Sequence, residues 1–284
     1  TGLAFGGNKT RKLEYLLADA REQGAQTLIT AGAVQSNHCR QTVAAAARFG
    51  FDCTLVLFGD PPDPPDGNHL LHHLLGADIV FTDRDQVNET LKHVYKQAKA
   101  DGQAPYLIPY GGSNPTGAMG YVNAMLELAE QQVQPDWIVF ASSSGGTQAG
   151  MLVGARISGY QGKILGISVD ESADVLSERV AELAAATAEY IGENWPFSSA
   201  DVLVNDDYLG GGYAVMGEPE IEAIRLFAER EALILDPVYT GRAAAGLIDL
   251  VRQGFFDETD TVLFWHTGGG PALFTSKYQP HLLK

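Results

Sequence analysis

A chain of 284 residues is long enough for one large core or two ordinary ones, and 45% apolar against 19% charged residues marks it as globular, not disordered. With 19 basic and 35 acidic residues the net charge is -16, which argues against nucleic acid or an anionic membrane as partner. The two cysteines, Cys39 and Cys53, make no disulfide framework and suit a reducing, cytoplasmic setting. No apolar run is long enough to span a bilayer, and no signal-peptide pattern opens the sequence.

In chain order, Gly6-Gly7-Asn8-Lys9 reads as a tight turn, with Thr10 as candidate cap of a helix whose Leu13, Leu16 and Leu17 recur at helical spacing. A lysine at that junction lies beside the positive end of a helix. That field, with burial, lowers its pKa and leaves a nucleophilic amine. Strands are expected at 27–31 and 53–58, with a helix at Asn37–Phe49 between them. A proline-rich loop, 59–67, is followed by a helix at 68–75, a strand at 78–82, a helix at 86–99 and a strand at 106–109. Ser113 or Asn114 caps the next helix, which runs to about Val133. The second half repeats the alternation: strands at 137–141, 163–169, 202–205, 233–235 and 261–266, and helices at 147–160, 175–193, Glu218–Glu231 and 241–253. Such alternation predicts an α/β protein of two domains, each a mostly parallel twisted sheet flanked by helices. The expected division is residues 1–10 with 120–284 for the larger domain and 11–119 for the smaller.

Ligands of open parallel sheets bind beyond the carboxyl ends of the strands, so the segments that follow strands carry the chemistry. Ser142-Ser143-Ser144-Gly145-Gly146-Thr147 opens directly into a helix and reads equally as a phosphate cradle or as a loop placed for packing. It lacks a P-loop lysine, and no dinucleotide fingerprint is present, which favours a lone monophosphate over a nucleotide and argues against an oxidoreductase. Gln35-Ser36-Asn37-His38 offers more hydrogen-bonding groups than one helix cap needs, and suits a substrate carboxylate. Tyr213, Tyr239, Thr240 and Thr267 stand after strands, beside glycines. His69, His72 and His73 share helical spacing without a carboxylate or cysteine to complete a metal set, so they read as a solvated face, with no metal expected. Cys39 reads as a small buried thiol.

Five ordered stretches, at 6–16, 31–42, 142–151, 235–247 and 266–274, together resemble the D-cysteine desulfhydrase and 1-aminocyclopropane-1-carboxylate deaminase family, pyridoxal-phosphate enzymes of the tryptophan-synthase-β fold group. The resemblance covers essentially the whole chain. It implies that Lys9 is the Schiff-base lysine, that Asn8 also lies at the cofactor, and that Asn37 meets the phenolate oxygen. It places Ser144, Gly145, Gly146 and Thr147 on the phosphate and Thr267 at the pyridine nitrogen. Gln35, Ser36, Asn37 and His38 would hold the substrate carboxylate, and Tyr213 and Tyr239 would line the substrate side, so the catalytic set is Lys9, Ser36, Tyr213 and Tyr239. Relatives carry a few dozen residues before the glycine pair, so an N-terminal segment is expected to be missing. A homodimer acting on a small amino acid is the family expectation.

Ring-opening deaminases of the family carry glutamate where this chain has Thr240. A carboxylate there would hold the ring nitrogen's proton and strengthen the electron sink, whereas a hydroxyl holds it less firmly. The expectation is therefore α,β-elimination, with D-cysteine giving pyruvate, sulfide and ammonia. The alternatives are a cysteate sulfo-lyase, a 1-aminocyclopropane-1-carboxylate deaminase, or a non-catalytic ligand-binding protein on the same scaffold.

Overall fold

A computed structural model describes residues 2–283; Thr1 and Lys284, the outer ends of the expected domain ranges, lie outside the described residues. Two four-stranded sheets, every pairing parallel, organise the chain. The first contains β1 (Thr27–Ala33), β2 (Asp52–Phe58), β3 (Asp78–Thr82) and β4 (Pro105–Leu107), in the order β3-β2-β1-β4. The second contains β5 (Trp137–Ser142), β6 (Lys163–Ser168), β7 (Leu203–Asn205) and β8 (Val262–Phe264), in the order β7-β6-β5-β8. In each sheet the first strand has neighbours on both sides, so the winding reverses there. The crevice at such a reversal is where an open sheet accepts ligand.

The helices are α1 (Lys9–Glu22), α2 (Asn37–Phe49), α3 (Gly67–Leu74), α4 (Val87–Ala100), α5 (Pro115–Glu130), α6 (Gly146–Ser158), α7 (Ala173–Tyr190), α8 (Glu218–Glu231), α9 (Thr240–Arg252) and α10 (Gln279–Leu282). Leu13 and Leu16 of α1 pack with Leu28 and Leu55 of the first sheet. The second sheet is covered on one face by Met125 and Met151 against Phe140, and on the other by Ala243 and Leu250 against Val139 and Ile167. Each such leucine or isoleucine stabilises the fold by about 2 kcal/mol through burial. Among the described residues no helix is long and apolar enough to cross a membrane.

Three expectations need correction. Residues 233–235 are not a strand: Ala232 takes a left-handed conformation that ends α8, and Leu233 and Ile234 are 43% and 52% exposed. Three apolar residues could not outweigh that turn. Thr10 does not cap α1, which starts one residue earlier; its N–H and hydroxyl both donate to Gln41 Oε1 at 2.9 Å. Two of the three histidines of α3 are not on a solvated face, because α3 packs on α2 and buries His69 and His72, while His73 stays exposed. Burial, then the neighbouring His69, push His72 down to about 3.

Candidate active site

Lys9 is held by three contacts on its flanks. Asn8 N–H donates to Thr267 O at 3.0 Å, Asn8 Nδ2 donates to Thr147 Oγ1 at 3.3 Å, and Arg40 Nη2 donates to Gly6 O at 2.6 Å. Glycine is required at this crossing: a Cβ on Gly268 would lie 2.7 Å from Gly7 Cα. The first turn of α1 is thereby fixed against the segment after β8 and the first turn of α6.

The cavity at this crossing is lined by Asn8, Lys9, Ser36, Asn37, His38, Tyr110, Ser143, Ser144, Gly145, Thr147, Tyr239 and Thr267, among others. The two switch points thus open into one space: the start of α2 after β1 and the start of α6 after β5. Burial lowers the Lys9 amine to about 8, against the raising influence of the Lys12 amine beside it and of Asp170. A lysine at that value has a substantial neutral, nucleophilic fraction near neutral pH.

At the α6 end, the N-cap residue Gly145 is left-handed (φ 86°) and has no side chain to cap the helix. Gly146 N–H donates to Ser113 Oγ at 3.2 Å, and Ser113 Oγ lies 2.8 Å from Ser144 Oγ. Lys12, 1% exposed, donates from Nζ to Ser113 Oγ and Gly111 O, both at 3.1 Å. Burial, then the charge of Lys9, push Lys12 well below its ordinary value. An anion arriving at this helix end meets backbone N–H groups, two hydroxyls and the Lys12 amine behind them.

On the α2 side, Ser36 Oγ accepts from Cys39 N–H at 3.1 Å, which leaves its own proton free to donate. Thr30 gives its hydroxyl proton to Ile108 O at 2.9 Å, so the 2.9 Å contact with His38 Nε2 is donated by the histidine. His38 is therefore assigned the Nε2–H tautomer. Burial, with the charges of Lys9 and Lys12, holds it well below its ordinary value and hence neutral.

Two residues expected at the site are placed elsewhere. Gln35 lies off the cavity: its Nε2 donates to Asp66 Oδ1 at 2.9 Å and its Oε1 accepts from Asn68 N–H at 2.8 Å. Thr240 is 1% exposed, and its hydroxyl accepts from Asp236 N–H at 2.7 Å and donates to Asp236 Oδ1 at 2.8 Å. A hydroxyl so occupied has no proton for the cavity. Tyr213 reaches the site through Tyr239, with their hydroxyls 2.6 Å apart. Among the described residues no group of three or more His, Cys, Asp or Glu side chains is arranged to hold a metal.

Sequence reading missed Lys12, Tyr110 and Asp170, the partner of Ser143. Lys12 stands four residues before Leu16 and eight before Ala20, on the buried face of α1, and a charge on such a face is a signal in itself. Tyr110 and Asp170 each follow a strand, β4 and β6, by the same rule that found the others.

Comparison with solved structures agrees with this fold. A protein described as an ACC deaminase homologue is 38% identical, with 99% of this chain and 85% of that chain aligned at a TM-score of 0.88. A pyridoxal 5'-phosphate-dependent aspartate racemase, at 20% identity with 93% of this chain and 80% of that chain covered, superposes at 0.65. An L-serine ammonia-lyase from Rhizomucor miehei, at 14% identity with 97% and 87% covered, superposes at 0.68; both share the fold alone. The family model described as pyridoxal-phosphate dependent enzyme matches residues 2–268, so the chain belongs to that family and its cofactor is pyridoxal 5'-phosphate.

Proposed function

We propose that the chain is a lyase that removes the β-substituent and the amino group of a small amino acid, D-cysteine first among them. The products would be pyruvate, sulfide and ammonia. The observation that carries this reading is the Lys9 amine, lowered to about 8, opening into one cavity with the α6 cradle and with Ser36 and Asn37.

The residues fit the cofactor. A Cβ on Gly146 would meet Ser113 Oγ at 2.6 Å, so only glycine lets the Ser113 hydroxyl sit against the start of α6, where the phosphate would lie. When bound, the cofactor supplies an electron sink for the pair left behind by the α-proton. Lys9 is the residue to bind its aldehyde carbon covalently and, once released, to accept the substrate's α-proton at Nζ. Ser144, Gly145, Gly146 and Thr147 would hold the phosphate, with Lys12 beneath them. Asn37 and Thr267 would face the ring. Ser36 would donate to the substrate carboxylate, and Tyr239, backed by Tyr213, would close the substrate side.

Elimination is favoured over ring opening because none of the residues lining the cavity is aspartate or glutamate. The ring nitrogen then has no carboxylate there to keep it protonated, and departure of a thiolate tolerates the weaker sink better than cleavage of a carbon–carbon bond does. A cytoplasmic homodimer belongs to the same reading.

The purified protein should be yellow, and Lys9→Ala should abolish the colour. Pyruvate release should be compared on D-cysteine, L-cysteate, D-serine and 1-aminocyclopropane-1-carboxylate. Preferred turnover of the cyclopropane acid would overturn the elimination reading. A protein that takes up the cofactor but turns over none of the four would favour the non-catalytic binding role.

A further inference from the structure

Asp170 is a carboxylate that nothing above uses. It follows β6 at its carboxyl end and is held from both sides. Val169 O accepts from Arg242 Nη1 at 3.0 Å, and Glu171 N–H donates to Ser168 Oγ at 3.2 Å. Its Oδ2 accepts from Ser143 Oγ at 2.7 Å, while Oδ1 is shut off from solvent with no hydrogen-bond partner among the described residues. Burial raises it from its ordinary value, and the hydrogen bond from Ser143 with the charges of Arg179 and Arg84 offsets that only in part. Arg179 is engaged by Glu171 Oε1 at 2.9 Å and by Ser143 O at 3.3 Å. Arg84, across the cleft, lies over the rings of Phe58 and Tyr213.

Asp170 lines a cleft of about 810 Å³ that shares Tyr110, Ser143 and Ser144 with the cavity around Lys9. Its negative charge reaches the site, where it raises Lys9, Tyr110 and Tyr213. The hydrogen bond to Asp170 also takes the only hydroxyl proton of Ser143. The Ser143 oxygen that lines the cavity can then only accept.

We infer that Asp170 and Ser143 form a specificity pair, which admits amino acids whose side chain ends in a neutral donor, a thiol or a hydroxyl, and repels those that carry a negative charge. Ser143 Oγ takes the substrate's S–H or O–H, and the Asp170 charge behind it disfavours a sulfonate or carboxylate at the same place. Burial strengthens both effects, because the cleft wall screens charge less than water does.

This inference deepens the elimination reading and rests on it. Its test therefore uses equilibrium binding as well as turnover. The holoenzyme is titrated with α-methylserine and with α-methylaspartate, which lack the proton that an elimination must remove, and cofactor absorbance reports binding. The serine analogue should bind about tenfold or more tightly than the aspartate analogue. Asp170→Asn should tighten the aspartate analogue by about tenfold, with L-cysteate gaining on D-cysteine in pyruvate release. Ser143→Ala keeps the charge, so it should weaken the serine analogue and leave the aspartate analogue weak. The inference fails if Asp170→Asn shifts both analogues alike, or if the wild-type protein prefers the anionic one. No pyruvate from any substrate, with the binding preference intact, would instead sink the elimination reading alone.

Discussion

Asn68 Nδ2 donates to Asn37 Oδ1 at 2.8 Å, and Arg40 Nη1 reaches the same oxygen at 3.3 Å. Two donors on one oxygen settle which way the Asn37 amide faces, so its NH2 group is the one left for the cavity. Asn68 is itself fixed, since it also donates to Gln35 O at 2.9 Å and accepts from Arg40 Nη1 at 3.1 Å. Removing it with Asn68→Ala leaves Asn37 Oδ1 with only the longer contact from Arg40, so the amide can turn its oxygen inward more easily. The expected result is cofactor affinity lower by about tenfold, near the net worth of one hydrogen bond. Titrating the apoprotein with pyridoxal phosphate by fluorescence checks it; an unchanged affinity would show that Asn37 needs no such support.

The Gly146 position makes a second prediction. A Cβ there would meet Ser113 at Oγ, Cα and Cβ, at 2.6, 2.9 and 2.9 Å, and the backbone atom cannot swing away. Gly146→Ala must therefore push the Ser113 loop outward, and with it the contacts from Lys12 and Ser144. Overpacking of this kind costs about 1–3 kcal/mol. Phosphate-dependent binding should suffer more than folding does: the variant should melt a few degrees lower, yet need a large excess of cofactor to become coloured.

How much of this was readable beforehand differs by residue. Alternating apolar runs and helix caps are local signals, and they marked both sheets, the Asn114 cap, which accepts from Gly117 N–H at 2.8 Å, and the glycine-rich start of α6. What occupies Gln35 and Thr240 was not legible, because their partners are set by the fold. Asp66 and Asn68 claim Gln35 from some thirty residues away, and the geometry of the Asp236 turn claims Thr240. Asp170 escaped notice for the same reason, since only the pairing of β5 with β6 brings it to Ser143. Sequence shows which groups a chain owns, whereas competition among partners decides which remain free.

The Lys9 amine gives a pH prediction. Its ordinary value is 10.5 and burial brings it to about 8. Roughly one amine in ten is then neutral at pH 7 and half at pH 8, far more than for a surface lysine. Labelling of apoprotein Lys9 by a small amine-reactive reagent, followed by peptide mass spectrometry, should rise through about pH 8 and level off above it. The unfolded chain holds that proton up to 10.5, so this residue destabilises the fold most below pH 8, and stability should recover as pH rises from about 8 to 10.5. Labelling that instead keeps rising toward pH 10 would place the amine in bulk water.

Arg242 ties the tyrosines to the sheet. Fully buried, it donates from Nε to Glu220 Oε1 at 2.8 Å, from Nη1 to Val169 O and Gly212 O at 3.0 Å, and from Nη2 to Val215 O at 2.8 Å. Gly212 and Val215 bracket Tyr213, so one guanidinium fixes the loop that brings the Tyr213 hydroxyl to Tyr239. Arg242→Met strands the buried Glu220 and three carbonyls, and should cost about 3–5 kcal/mol of stability. Arg242→Lys is the more informative change. An ammonium keeps the charge for Glu220 but has neither the reach nor the planar fork for three separated carbonyls. It should fold with a modest loss in melting temperature, while the Tyr213 loop loosens. If Tyr213 and Tyr239 close the substrate side, KM for D-cysteine should rise several-fold with cofactor affinity unchanged. Equal losses in cofactor and substrate binding would instead mean that Arg242 supports the whole site and not this loop.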